Sequence, residues 1–271
     1  MASFTGRSIK DVYKDILHTD NSNSGLSTTI KQIKCGDGDT TSLYLSNRNA
    51  KVQPSADSTT NTVIYDADGN ALVSVDSTND LVKLGIGQHT ANTQFKTFGQ
   101  FDISAAAGSH YALLSTPVMY DSAVWAAGAI NGGVWGGSGT NPVTSLTLAS
   151  AARYYSPVIW LLQSNITLDQ ISYIMTADGS TTANIHLMSY SLVTGSGSTA
   201  GDLSSGAVLA QTGSASDSLS PITIGDDRAS NGTLTINTAN VNSGKVIIAF
   251  VENVGGSDDV SIQLSVKYHL R

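Results

Sequence analysis

Residues 61–86 read NTVIYDADGNALVSVDSTNDLVKLGI. Thr62 to Tyr65 is a run of β-branched and aromatic residues. Asp66 to Asn70 is a turn cluster holding an Asp-Gly pair, and Ala71 to Val75 is a second β-rich run. Asp-Gly between two such runs is a strong hairpin signal, because glycine accepts the positive φ that a tight turn needs. Asp76 to Asp80 turns the chain again, into Leu81 to Ile86. The stretch therefore predicts a three-stranded meander. So small a sheet buries too little to offset the entropy of ordering it. It must take its core from copies of itself or from a larger body.

Composition extends the β reading to the whole chain. Charged residues make up 13% of the 271, about half of the roughly 25% usual in soluble proteins. Glu252 is the only glutamate, and Lys and Arg together number 14. The usual filler of helix surfaces is missing, and β-branched residues and turn formers stand in its place. The formal net charge is -7 with no basic patch, which argues against a nucleic-acid partner. Cys35 is alone, so no disulfide framework or Cys-based zinc site forms within one chain. The longest apolar run, Val246 to Val251, is six residues, far from the ~20 needed to span a bilayer. The N-terminus is polar, without the apolar core of a signal peptide. A protein made in the cytoplasm and not inserted in a membrane is expected.

Downstream of residue 100 the strand candidates lengthen: 116–120, 123–127, 143–148, 154–162, 166–175, 183–192, 207–212, 218–224, 232–241, 244–251 and 260–270. The last alternates without a break. Val260, Ile262, Leu264, Val266 and Tyr268 share one face; Ser261, Gln263, Ser265, Lys267 and His269 share the other. Many strands with closely spaced turns indicate a β-sandwich, most simply a jelly roll. At roughly 170 residues this part is large enough for a core of its own. Asp178-Gly179 reads as the turn of a hairpin joining 170–175 to 184–189, and the polar stretch 88–100 reads as a linker or shoulder.

Upstream, residues 6–52 carry apolar residues in short pulses: Ile9, Val12-Tyr13, Ile16-Leu17, then Leu26, Ile30 and Ile33, then Leu43-Tyr44-Leu45. Ile9, Val12, Tyr13, Ile16 and Leu17 fit one face of a short helix, and they fit equally an extended segment docked on a partner. Leu43 and Leu45 alternate with Ser42, Tyr44 and Ser46 as a short strand.

The order of residues in this region resembles the N-terminal part of fibre and appendage proteins of tailed-bacteriophage virions, those of marine phages especially. The pattern G-x-[ST]-I-x-x-x-Y-K-D-[IL]-L matches Gly6, Ile9 and Tyr13 to Leu17. D-N-x-N-x-G matches Asp20-Asn21 and Gly25, and D-G-[DE]-x-T-x-S-x-L-x-L-S matches Asp37-Gly38, Thr40, Ser42-Leu43 and Leu45-Ser46. The meander D-x-D-G-N-x-L-x-x-V-D is similar to a fibre segment that trimerises. The resemblance spans residues 6 to 86. It implies a homotrimer held to other virion proteins of the tail or capsid, with Ile9, Tyr13, Ile16, Leu17, Leu43 and Leu45 in attachment and assembly. The organisation expected is all-β. Residues 1–60 are an extended attachment segment, 61–94 a trimerising meander stalk, and 95–271 a jelly-roll-like sandwich head. Receptor binding to a host surface glycan and capsid decoration are the two alternative roles.

Signals for chemistry are sparse. The five histidines, His18, His89, His110, His186 and His269, show no metal-ligand spacing and fall in different elements. They read as ordinary strand or surface residues, with His186 turned to solvent beside Ile185 and Leu187. Asp66 to Asn70 begins like a calcium loop, but Ala71 and Ser77 stand where glycine and glutamate are required. Asp226-Asp227 and Asp258-Asp259 read as solvated loop acids unless folding brings other oxygens near. No G-x-S-x-G elbow is present, Gly85-Ile86-Gly87 lacks the rest of a dinucleotide fingerprint, and one glutamate with turn aspartates is a poor glycosidase pair. No enzymatic activity, metal or cofactor is expected. Trp125, Trp135, Tyr154, Tyr155 and Trp160 cluster around a glycine-rich stretch. Trp160 reads as core. Trp135, Tyr154 and Tyr155 are the candidates for stacking a sugar ring, with packing in a core or subunit interface as their other reading.

Overall fold

A computed structural model of the chain describes residues 16–19, 25–85, 89–103, 108–115, 141–147, 158–194, 199–213, 219–254 and 258–271. The chain divides into two compact units, Met1–Ala91 and Asn92–Arg271. All strand pairings among the described residues are antiparallel, and the fold is all-β.

The first unit holds two four-stranded sheets, each in chain order. One comprises β1 (His18–Thr19), β2 (Lys31–Lys34), β3 (Thr40–Leu45) and β4 (Ala50–Val52). The other comprises β5 (Thr62–Tyr65), β6 (Ala71–Asp76), β7 (Leu81–Leu84) and β8 (His89–Thr90). The second sheet is the meander expected from residues 61–86, with β8 added at its edge. Its first turn is closed by Asp66, whose Oδ1 accepts from the backbone N–H of Asp68 at 3.0 Å and of Asn70 at 2.8 Å. Gly69 sits at φ 83°, a conformation that a β-carbon disfavours. The Asp66 carboxylate is thus engaged within the turn, Oδ2 also accepting from the Asn70 side-chain amide at 3.0 Å.

The second unit is a sandwich. One sheet carries β9 (Thr93–Ile103), β20 (Val260–Leu270), β12 (Ile166–Ala177) and β16 (Arg228–Thr233) side by side, with β18 (Asn240–Val241) also on β12. The other carries β10 (His110–Ala112), β19 (Lys245–Asn253), β13 (Thr181–Leu192), β14 (Leu203–Gln211) and β17 (Thr235–Ile236). There β11 (Trp160–Leu161) also lies on β19, and β15 (Ile222–Ile224) on β13. Pairing is nested. β9 lies on β20, β10 and β11 on β19, β12 on β16 and β18, and β13 on β14 and β15. That is the strand order of a hairpin rolled up on itself, the jelly roll. Phe98, Ile171, Met175, Leu264 and Val266 from the first sheet meet Ile185, Leu187, Leu209, Ile247 and Val251 from the second in one buried core. Trp160 packs against this core, its ring 4.9 Å from that of Tyr268.

Two local expectations are corrected. Asp178-Gly179 does not close a hairpin: β12 and β13 belong to opposite sheets, so the turn between them is a corner of the sandwich. A tight turn shows that the chain reverses and says nothing of whether the two runs pair. Residues 93–100, read as linker, form most of β9, the edge strand against β20. Their polarity comes from a strand with one face to solvent and only Phe98 and Gln100 of these eight fully buried.

Strand β19 accounts for the second buried surface. Ile247, Ala249 and Val251 point into the sandwich. Val246, Ile248 and Phe250 point the other way, into a separate cluster with Ala112, Leu114, Val158, Met188, Tyr190 and Leu203. A strand covered on both faces reads as a continuous apolar run. That is why Val246 to Val251 is the longest in the chain.

Candidate functional site

Three features outside the core are built from identifiable side chains. The first is one face of the meander. Thr62, Val75 and Val82 lie opposite one another in one cross-strand row, and Ile64, Val73 and Leu84 in the next. Alternation along each strand puts all six on the same side. Ile64 is 56% exposed, Leu84 43% and Val82 38%. The opposite side carries Val63, Ser74, Asp76, Leu81 and Lys83. There the Asp76 carboxylate accepts from the Asn79 backbone at 3.0 Å, the Asn79 amide at 2.9 Å and Lys83 Nζ at 3.3 Å. These bonds, the Asn79 side chain first, hold the Asp76 carboxyl below the usual range. The Asp76 carboxylate is thus satisfied on its side of the sheet, while on the other side Ile64, Val82 and Leu84 stand exposed.

The sheet β1–β4 repeats the theme. Leu43 lies opposite Val52, and Leu45 opposite Ala50, on one face; Leu43 and Val52 are exposed. Among the described residues of this unit, Ile33 is the only buried hydrophobic. Of the residues expected to act in assembly, Leu43 and Leu45 share this face, Ile16 is half-buried and Leu17 exposed. Ile9 and Tyr13 lie outside the described residues, as do Trp135, Tyr154 and Tyr155.

The second feature is a polar cluster on the outer side of the sheet containing β19. His110 of β10, Glu252 of β19 and Asn184 of β13 stand in one row, with His186 two residues along β13. All four are buried, so the expectation that His186 faces solvent is wrong. Its side of β13 is covered, like the Phe250 side of β19. His110 Nε2 is 3.6 Å from Glu252 Oε2, and its ring centre is 5.3 Å from that of His186. Asn184 Nδ2 donates to Glu252 Oε2 at 3.0 Å, and Thr212 Oγ1 donates to Asn184 Oδ1 at 3.3 Å. Burial pushes the His110 pKa down, against the upward pull of Glu252, so the ring is a neutral imidazole at neutral pH. These residues are 142 positions apart at most (252 − 110), and no linear spacing announces them. Only the nested pairing brings them together.

The third feature is a groove of about 790 Å³ beside the edge strand β9. Phe101, 60% exposed, and Ile174 give it an apolar floor, and Thr97, Gln263, Ser261 and Thr176 line it with hydroxyls and an amide. Phe101, Thr176 and Ser261 also border a depression that gathers Asp102, Asp178, Asp227 and Asp259 with Arg228. The loop acids expected to be isolated in solvent are therefore neighbours, and Asp178 Oδ1 accepts from the Asp259 N–H at 2.8 Å. Among the described residues, the carboxylate, thiol and imidazole group with all ligand atoms within 4.8 Å is Cys35, Asp37 and Asp39. It lies at the surface turn between β2 and β3, where Cys35 Sγ donates to Asp37 Oδ1 at 2.7 Å.

No family model matches the sequence, and no curated protein matches it. Among solved structures, an aminopeptidase from a marine sediment archaeon, Thaumarchaeota archaeon, matches over 74% of this chain and 41% of its own. The identity is 10% and the TM-score 0.29. The chain thus spans less than half the length of that protein, and no fold or activity is carried over from it.

Proposed function

We propose that the chain is a structural protein of a tailed-phage virion, a short fibre or appendage. It assembles as a homotrimer through residues 1–94 and carries the sandwich as its head. The observation that supports this reading is the aliphatic face of Ile64, Val73, Val75, Val82 and Leu84, in a unit whose described residues include a single buried hydrophobic, Ile33. Fully burying a Val, Leu or Ile side chain stabilises by about 1.5–3 kcal/mol. Covering this face therefore contributes on the order of several kcal/mol per protomer, before association costs. A second copy offers the same aliphatic rows, and repetition around a closed axis completes the core symmetrically. The sequence resemblance over residues 6 to 86 supports the same reading and supplies the virion. The role is assembly, with no catalytic step, and the protein ends up in the virion after synthesis in the host cytoplasm. Electron microscopy with antibody against the chain tests this: label on intact phage particles, on tail or capsid, is expected, and particles left bare refute it.

A second reading, receptor binding, is favoured by the groove at Phe101. An exposed aromatic ring beside hydroxyls and an amide is a surface suited to a host glycan. Phe101→Ala that lowers cell adsorption without lowering the melting temperature supports it; unchanged adsorption refutes it.

A further inference from the structure

The buried cluster on β10, β19 and β13 has an arrangement that packing alone does not account for. His110 is fully buried and neither of its ring nitrogens has a hydrogen-bond partner. A buried polar atom without a partner is costly and rare, and where one persists a bound ion or water commonly satisfies it. The only glutamate of the chain is buried beside it, and Asn184 holds that carboxylate in place from the far side. Thr212 in turn holds Asn184. A carboxylate oriented by a hydrogen-bonded partner, itself anchored, is the second layer of support that metal ligands have.

Two of the spacings are those of ligands sharing one ion. Two imidazoles bound through nitrogens about 2.0–2.1 Å from a tetrahedral zinc carry their ring centres roughly 5 Å apart. His110 and His186 stand at 5.3 Å. Two ligand atoms of such an ion lie about 3.3 Å from each other, and His110 Nε2 and Glu252 Oε2 lie at 3.6 Å. With the rings in their present orientation, the three side chains do not bring their ligand atoms within 4.8 Å together, the spacing that Cys35, Asp37 and Asp39 meet. Half a turn of the His186 ring exchanges its nitrogen and carbon positions while leaving the ring centre in place. A third ligand at this site therefore requires that turn of the His186 ring, with the 5.3 Å ring spacing kept.

We propose that His110, His186 and Glu252 form a two-histidine, one-carboxylate site for a divalent transition ion of the zinc class, on the outer side of the jelly roll. Two imidazoles and one carboxylate are the ligand set that such ions prefer over calcium or magnesium. Ala112, Met188 and Phe250 beside them in the sheet make the surroundings apolar. The ion ties β10 and β13 together across β19. This assignment concerns the second unit alone and is independent of the virion reading.

The full chain is stripped with a chelator, dialysed against Zn²⁺, and analysed for bound metal and melting temperature. Parallel samples carry Glu252→Gln, His110→Asn and Cys35→Ser. One zinc per chain and a rise in melting temperature of about 5 °C at saturating metal are expected for the unmodified protein and for Cys35→Ser. Both are lost in Glu252→Gln and His110→Asn. Co²⁺ in place of Zn²⁺ gives the visible absorption of a tetrahedral site, a readout on the unmodified protein that stands if either variant fails to fold. No stoichiometric metal, no tetrahedral Co²⁺ spectrum, or metal lost with Cys35→Ser and retained by Glu252→Gln overturns the assignment.

Discussion

Val73 on β6 pairs with Leu84 on β7, and both turn to the side of the meander opposite the Asp76–Lys83 ion pair. The two faces of one small sheet differ in chemistry: the charged pair is confined to one of them. One holds the hydrogen-bonded Asp76–Asn79–Lys83 group, and the other is a set of aliphatic side chains of which Ile64, Val82 and Leu84 are exposed.

Changing that set tests what covers it. Val73→Asp places a charge in the middle of the Ile64–Val73–Leu84 row, where a covered site cannot solvate it. The variant is expected to lose its oligomeric state while the sandwich keeps its own cooperative melting. Lys83→Ser, on the other face, removes the ion pair to Asp76 without touching the aliphatic row and is expected to leave the mass unchanged. Analytical ultracentrifugation and calorimetry on both variants read the difference.

Acid is expected to loosen the meander through Asp76. Its carboxyl is held below its ordinary value by the Asn79 and Lys83 contacts. The folded state therefore binds its proton less readily than the unfolded chain does, and stability rises with pH across that interval. The contribution is complete above the unfolded value of 3.8 and is lost as pH falls through the lower folded one. Melting temperatures of the unmodified protein and Asp76→Asn, followed down through this window, should converge. A constant gap between them contradicts the assignment.

Gly206 of β14 tests the packing outside the sandwich. A β-carbon there meets Tyr190 Cε1 at 2.6 Å and Thr144 Cα at 2.8 Å, and the second is backbone. The Tyr190 ring is fixed in turn by its hydroxyl, which donates to the Val143 carbonyl at 2.9 Å. Gly206→Ala is expected to cost about 1–3 kcal/mol through overpacking, seen as a fall of several degrees in the melting temperature.

Removing residues 1–60 separates attachment from folding. The sandwich has its own buried core, so the shortened protein is expected to keep a cooperative thermal transition. It is also expected to lose co-sedimentation with virions. Aggregation, or a transition that broadens away, contradicts the division of labour.

What was legible in the sequence follows from the range of the forces involved. The meander and β20 were readable because turn chemistry and alternation act between neighbours: Asp66 to Asn70 bends as its residues demand, and Val260 to Tyr268 alternate as they are buried. The corner at Asp178-Gly179 was misread because the choice between pairing and crossing to the other sheet depends on strands far away in the chain. Strand β9 was missed because an edge strand with a wet face carries polar residues like those of a linker. The cluster of His110, His186 and Glu252 left no local trace. It exists only because nested pairing sets β10, β19 and β13 side by side. A buried histidine between Ile185 and Leu187 looks like an exposed one until both faces of the sheet are known to be covered.

The central claim is that the first unit finds its core in other copies of the chain, and sedimentation equilibrium of the full-length protein at micromolar concentration tests it most directly. The account predicts a single species of three times 28.1 kDa that does not dissociate on dilution through that range. A folded, soluble species at 28.1 kDa, with the meander intact by hydrogen exchange, would contradict it.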